Sequence, residues 1–382
     1  MAAKATCEQA FKTCNAKDKA SLDSYIIFDI KNGKAKIKTI NGIAEQEIDL
    51  VIDQQDKEDG VFAISGQVLI EFLRSFKSQD IVCDVKLKKN VINFMSVDKS
   101  RKFARPITIP DSSTYASLNY IPLGSSLDCD GQILANSFKA TYFAVSDDPT
   151  SGAMMAVNLR IKPSGITAEA TNQNRINQYC TACQFDDDMG DFNFLIPAEI
   201  ASILSDLLGD VSEVTLEPGD KHLRMKWDGT IFTTNVIEGA GKPFPNLTKF
   251  INAVPDATVK ISRGDLLDGL KFAGLTVKDS CVGIAINDKG LAISASDTDI
   301  GASSETLRCE ETEGENQALY SWKLLNKGVE GTCSPYIFIK MCEIKPGISL
   351  LQIVDNEYIS VMIPVVMNED QEEDEETTET ED

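Results

Sequence analysis

The 382-residue sequence holds one histidine, His222, and two tryptophans, and aromatic residues make up only 7% of it. A single imidazole excludes His-rich metal centres and leaves little from which to build a nucleophile–base pair. Nowhere do about 18 apolar residues run together, which excludes a transmembrane helix. The N-terminus, MAAKATCEQAFKTCNAK, has no apolar stretch of signal-peptide length, so a cytoplasmic location is expected. Ten cysteines then read as reduced, mostly buried thiols. Basic residues are also short, 37 against 59 acidic ones, for a net charge of −22. Ten of those acids lie in Glu369–Asp382, which carries no Lys or Arg and reads as a disordered acidic tail. Such a balance excludes a protein that grips nucleic acid by blanket positive charge; any such role needs basic residues gathered on one surface.

Several motifs begin and are not completed. YCTACQ places Cys180 and Cys183 as a C-x-x-C, but no second pair stands at zinc-site spacing. GAGK, Gly239–Lys242, lacks the first Gly of a phosphate loop, and Pro243 stands where Ser or Thr is required. DDDMGD, Asp186–Asp191, lacks the Gly and Glu of a calcium loop. No catalytic constellation remains, so the reading is a non-enzyme without cofactor or metal.

What is present is repetition. GKAKIKTINGIAE (Gly33–Glu45), SGITAEATNQNRI (Ser164–Ile176) and KGLAISASDTDIG (Lys289–Gly301) each give a Gly turn, an alternating strand and a polar corner. A helix precedes each: TCEQAFKTCNA, DGQILANSFKATYFA and SRGDLLDGLKFAGLTV. A second amphipathic helix follows each. SGQVLIEFLRSFK aligns Val68, Leu69, Phe72, Leu73 and Phe76 on one face; IPAEIASILSDLLGD aligns Ile200, Ile203, Leu204, Leu207 and Leu208; ALYSWKLLNKGVEG ends on Gly328 and Gly331. Paired strands come after each of these, divided by turns at Lys89–Asn90, Pro218–Asp220 and Pro346–Gly347. The fold class is α+β: three copies of a domain with two helices packed on antiparallel sheets, over 1–123, 124–252 and 253–368, with the tail from 369 to 382.

Particular segments go further than periodicity. ATYFAVSDDPTSGAMMAVNLRI, AEATNQNRI, FTTNVIEGAGKPFPN and YISVMIPV occur in order and resemble segments of the bacterial sliding clamp, the β subunit of the replicative DNA polymerase. The resemblance covers Cys7 to Met367 and is strongest from Thr141 onward. It implies that two chains close head to tail into a pseudo-sixfold ring around double-stranded DNA, without sequence specificity. The replicative polymerase and clamp loader would then attach through short peptides.

The resemblance also assigns residues. Solvent-facing helix positions that would face the duplex are Lys12, Lys17 and Lys19 with Lys4 before them, then Arg74 and Lys77, Lys139, Arg263 and Lys271, Lys323 and Lys327. Gly152 and Ala153 stand where some relatives place DNA-touching tyrosines. The partner-peptide cleft maps to Met154, Thr171, Gln173, Asn174, Arg175 and Ile176 in one stretch, and to Pro245, Phe250, Ile348, Leu350, Val361 and Ile363 in others. Gln173–Asn174 replace the family's glycine–histidine pair, and the closing arginine–leucine is absent after Pro364. An altered peptide preference follows, with the acidic tail disfavouring acidic peptides. Leu275 and Phe103 are the dimer-interface candidates. Two rival readings are a clamp-like scaffold that never encircles DNA, and a thiol redox or metal protein using Cys180 and Cys183.

Overall fold

In the computed structural model the three repeated corners are built by one device. Asn41 Oδ1 accepts the backbone N–H of Ile43 and Ala44, at 3.2 and 2.8 Å. Asn172 Oδ1 accepts those of Asn174 and Arg175, at 3.2 and 2.9 Å. Asp297 Oδ1 accepts those of Asp299 and Ile300, at 2.9 and 3.0 Å. A short carboxamide or carboxylate that bonds two and three residues ahead fixes the reversal, which is why Asn or Asp stands at each corner; at two of them the backbone adds Asn41 N to the Ala44 carbonyl at 3.1 Å and Asn172 N to the Arg175 carbonyl at 3.2 Å. The strands entering them are Lys34–Ile40, Gly165–Thr171 and Gly290–Asp297; those leaving are Ala44–Leu50, Arg175–Ala182 and Gly301–Leu307. The structure describes residues 3–14, 24–52, 59–75, 81–108, 117–124, 126–185, 190–237, 243–277 and 280–365. The expected acidic tail, Phe76 and the stretch Gly239–Lys242 lie outside them.

The helices are α1 (Ala3–Phe11), α2 (Gly66–Arg74), α3 (Gly131–Thr141), α4 (Ala198–Leu207), α5 (Thr248–Ile251), α6 (Arg263–Val277) and α7 (Trp322–Glu330). Six match the six expected, and the four-residue α5 is additional. α1 pairs with α2, α3 with α4 and α6 with α7. α2 buries Leu69, Ile70 and Leu73 while Val68 and Phe72 are only half-buried, so its inward stripe is turned slightly from the one expected. Asp130 caps α3 by accepting from Gln132 and Ile133. Gly328 lies inside α7 and does not end it, because a Cβ there would come within 2.7 Å of Ile353 and 2.8 Å of Met362. The residues Asn316–Ser321 before it form a strand instead of a first helical turn.

Contacts group the chain into two compact units, 1–142 with 156–166 and 182–242, and 143–155 with 167–181 and 243–382. The first carries an eight-stranded antiparallel sheet in which Thr230–Thr234 pairs with Ala44–Ile48, joining strands from the first and second thirds of the sequence. In the second, Arg175–Tyr179 pairs with Tyr358–Met362, joining the second and third thirds. Compactness follows these sheets and gives two units, where three domains over 1–123, 124–252 and 253–368 were expected. One core of the first unit packs Ile26, Ile37, Ile48, Leu69 and Phe94 beneath α1 and α2; the large core of the second packs Leu266, Leu270, Tyr320, Leu325 and Ile353 under α6 and α7.

The α6–α7 contact is close enough to test. The Trp322 ring lies over Gly274, where a Cβ would sit 2.6 Å from Cζ2, and Trp322 Nε1 donates to the Leu270 carbonyl at 2.7 Å. Gly274→Ala improves intrinsic helix propensity by about 1 kcal/mol, yet it must displace the indole and its hydrogen bond. The expected net loss is about 1–2 kcal/mol, read as a lowered midpoint in urea unfolding.

Candidate functional site

The second unit gathers the expected cleft residues from distant stretches of chain. The ladder between Arg175–Ala182 and Tyr358–Met362 sets Ile176 opposite Val361 and Arg175 opposite Met362. Its register is held by a buried polar group: Asn177 Nδ2 donates to Tyr358 Oη at 3.1 Å, and Ser360 Oγ donates to Asn177 Oδ1 at 2.9 Å. Burial pushes the Tyr358 phenol up to about 12, so it stays neutral. On the other side of the last strand, Cys342 pairs with Leu350 across a hairpin. Gln352 Nε2 donates to the carbonyls of Phe250 and Ile251, at 2.8 and 3.2 Å, tying α5 to the same sheet.

The result is one apolar cluster. Ile176, Leu247, Ile251, Cys342, Leu350 and Val361 form its buried floor, and Phe244, Phe250, Ala253, Ile359 and Ile363 are partly exposed around it. Five of the twelve expected residues (Ile176, Phe250, Leu350, Val361 and Ile363) therefore converge. Pro245, half-buried, stands two residues before Leu247; Ile348 opens its strand outside the cluster. Leu247, Ile251 and Cys342 were not expected. The first two sit four residues apart in NLTKFI, a helical spacing that is legible but short, just before the expected domain boundary at 252/253.

Thr171, Gln173, Asn174 and Arg175 make the turn beside this cluster. Thr171 Oγ1 donates to the Arg175 carbonyl at 2.8 Å, and Ile363 N donates to the Asn174 carbonyl at 3.1 Å. Gln173 is exposed with a φ of 75°, and Asn174 is exposed. Arg175 is 3% exposed. Its guanidinium stacks 4.7 Å from the Phe143 ring centre and donates Nη2 to the Phe143 carbonyl. Burial lowers its pKa, while Nε and Nη1 have no hydrogen-bond partner among the described residues. A desolvated cation with two buried, unpaired donors beside an apolar cluster is suited to a carbonyl or carboxylate acceptor. Met154, half-buried, lies on the loop after Phe143, its carbonyl bonded by Ser146 N at 2.8 Å. Gly152 in that loop has a φ of 59° and Ala153 is buried, so no aromatic side chain projects there.

The expected DNA-facing residues are mixed in character. Lys12 is 4.0 Å from Asp206, Lys271 3.2 Å from Asp268 and Lys327 3.1 Å from Glu330. Arg263 donates Nε to Thr332 Oγ1 at 3.0 Å and Nη2 to the Glu330 carbonyl at 3.4 Å, closing the end of α7. Arg74, Lys139 and Lys323 are exposed; Lys17, Lys19 and Lys77 lie outside the described residues. Of the dimer candidates, Leu275 on α6 is 71% exposed with Phe272 nearby at 46%. Phe103, on the edge strand Lys102–Pro106, is half-buried and stacks on Phe72 at 4.2 Å.

Cys180 is exposed, and Cys183 half-buried. No group of three or more His, Cys, Asp or Glu side chains among the described residues could hold a metal ion. No described helix is long and apolar enough to cross a membrane. A hollow of about 550 Å³ in the first unit is lined by Lys36, Glu47, Asp49, Lys226 and Asp228. It contains none of the expected cleft residues, and its lysines are already paired with carboxylates.

Residues 128–246 match the family model of the DNA polymerase III beta subunit, central domain. Similar curated proteins include the beta sliding clamp of Staphylococcus epidermidis, 20% identical over 263 residues that cover 68% of this chain and 67% of that one. That of Staphylococcus aureus is 20% identical over 278 residues, covering 71% of each. Among solved structures, the DNA polymerase III beta subunit of Thermotoga maritima superposes with a TM-score of 0.83 at 14% identity, covering 96% of this chain and 97% of that one. A sliding clamp from Pseudomonas aeruginosa bound to griselimycin gives the same score at 13% identity, with the same coverage.

The register group at Asn177 can be tested directly. Asn177→Ala leaves Tyr358 Oη and Ser360 Oγ buried without their partner, an expected loss of about 1–3 kcal/mol. Asn177→Ala combined with Ser360→Ala recovers part of it. Urea unfolding of the single and double variants checks both.

Proposed function

We propose that this chain, which carries the fold of the DNA polymerase III beta subunits over 96% of its length and their central domain over residues 128–246, is a sliding clamp. It is a topological tether, without an enzymatic activity of its own. Two chains close head to tail around duplex DNA in the cytoplasm. The polymerase and loader dock through short peptides, which confers processivity in replication. The observation that carries this reading is the threefold element order, two helices and their sheets per third, with strands paired across both sequence junctions. Head-to-tail contact matches unlike surfaces and closes only when the rotation per module completes a circle. Leu275 and Phe272, exposed on α6, supply one such surface; the edge strand Lys102–Pro106 with Phe103 supplies the other.

The helix faces suit a loose hold. Beside the basic residues stand exposed Glu71, Asp206, Asp265, Asp268 and Glu330, so the net attraction to phosphate is weak, and retention must come from closure. The expected outcome is a complex that stays on nicked circular DNA at a salt concentration that abolishes ordinary electrostatic binding, and leaves when the circle is cut. Leu275→Asp is expected to give a monomer by light scattering and to lose retention. Equal retention on linear and circular DNA would support the scaffold reading.

The cluster around Ile176, Leu350 and Val361 is proposed as the partner-peptide cleft, its floor taking Leu or Phe anchors and Arg175 Nε and Nη1 meeting a peptide carbonyl. Phe250→Ala removes a half-buried wall. It should weaken a Gln-Leu-Phe-type peptide by about 2 kcal/mol, roughly 30-fold, in fluorescence anisotropy, while circle retention of the variant is unchanged.

A further inference from the structure

The sheet of the second unit carries more apolar surface on its cluster face than the cluster uses. Ile339, Ile353 and Met362 belong to the core under α6 and α7, whereas Leu350, Val361 and Ile176 belong to the cluster beside α5. Side chains alternate along a strand, so Phe338, Val354 and Ile359 lie on the cluster's face. The ladder sets Phe338 opposite Val354 and Val354 opposite Ile359, with Lys260 and Gln178 at the two ends of the row. The neighbouring row on that face is Lys340, Gln352, Val361 and Ile176, and α5 rests on it through Gln352. Phe338 is 37% exposed, and Val354 and Ile359 are half-buried. Ile359 also packs against the cluster, so the apolar surface runs on from one row to the next. Lys340 makes no ion pair among the described residues, whereas Lys260 lies 2.9 Å from Glu310 and 3.6 Å from Glu311.

We propose that the row Phe338, Val354 and Ile359 is a further subsite of the partner-peptide cleft. It takes an apolar side chain two residues beyond the peptide's terminal anchor, with a carboxylate next to it that Lys340 receives. The inference rests on the cleft reading and adds a specificity to it. Spacing identifies the occupant first. Successive residues on one face of a strand lie about 6.6 Å apart, which is the advance of two residues of extended peptide. A peptide anchored over Ile176 and Val361 and running along the strands therefore brings its second following side chain over Val354 and Ile359. Charge identifies it next. Lys340 stands one residue pair along Phe338's own strand, in the row of the anchor, with no carboxylate of the described chain to neutralise it. An apolar residue followed by an acidic one satisfies both.

The probes are two fluorescein-labelled peptides added to the full chain: a Gln-Leu-Phe-type peptide ending at its anchor, and the same peptide extended by Gly-Leu-Asp. Fluorescence anisotropy is expected to show the extended peptide bound about tenfold more tightly. Phe338→Ser combined with Val354→Thr should bring the ratio of the two affinities to about one. Lys340→Glu should lower that ratio severalfold, as should replacing the terminal Asp of the peptide by Asn. The ratio is read within each variant, so a general loss of folded protein does not mimic the effect. Binding of the short peptide without a gain on extension would overturn the subsite and leave the cleft reading intact, as would a gain that either variant leaves unchanged. No binding of the short peptide, or binding indifferent to Phe250→Ala, would overturn the cleft reading and the subsite with it.

Discussion

The candidate cleft depends on register. Asn177, Ser360 and Tyr358 satisfy one another where a strand from the middle of the chain meets the last strand. A slip of one residue would turn Ile176 and Val361 away from the apolar cluster and leave three buried polar groups unpaired. The apolar residues alone would tolerate either alignment, since both strands are rich in them. The polar group removes that degeneracy, and everything the cleft needs follows from it. Arg175 is set against Phe143, the Asn174 carbonyl meets Ile363, and α5 rests on the adjoining hairpin through Gln352.

Much of this was legible from residue pattern. The three corners announced themselves as Gly turn, alternating strand and polar residue, and the structure gives their common cause in the two forward hydrogen bonds of Asn41, Asn172 and Asp297. Helix periodicity found all six long helices but blurred their edges. Ala318–Ser321 was read as the start of a helix; as part of the strand Asn316–Ser321 it pairs with Cys281–Ile286, a partner that no local pattern reveals. Gly328 looked like a stop for the same reason: a glycine inside a helix is explained only by what packs on it, here Ile353 and Met362.

The site was legible in part. Ile176, Leu350 and Val361 sit on strands whose alternation is plain, and they converge. Leu247, Ile251 and Cys342 escaped because a four-residue helix carries too little periodicity and a cysteine carries no signal of orientation. Charge was harder still. A lysine on a solvated helix face reads the same whether it is free or paired, and Lys12, Lys271 and Lys327 each have an acid beside them. Helix faces nearly balanced in sign attract phosphate weakly and without a preferred position.

The Gln173–Asn174 turn shows how a side chain can be carried at a left-handed backbone position. A φ of 75° at Gln173 is ordinary for glycine and costs a side-chain-bearing residue about 1 kcal/mol. The turn does not rest on that residue, however. Asn172 Oδ1 holds the two N–H groups beyond it, and Thr171 Oγ1 accepts the N–H of Gln173 itself at 3.2 Å while donating to the Arg175 carbonyl. With the backbone held from both sides, the left-handed position can carry an exposed amide. The rim carries two neutral amides and no imidazole, so it does not change charge near neutral pH. The charged group beside these amides is Arg175, whose buried guanidinium leaves Nε and Nη1 without a hydrogen-bond partner among the described residues.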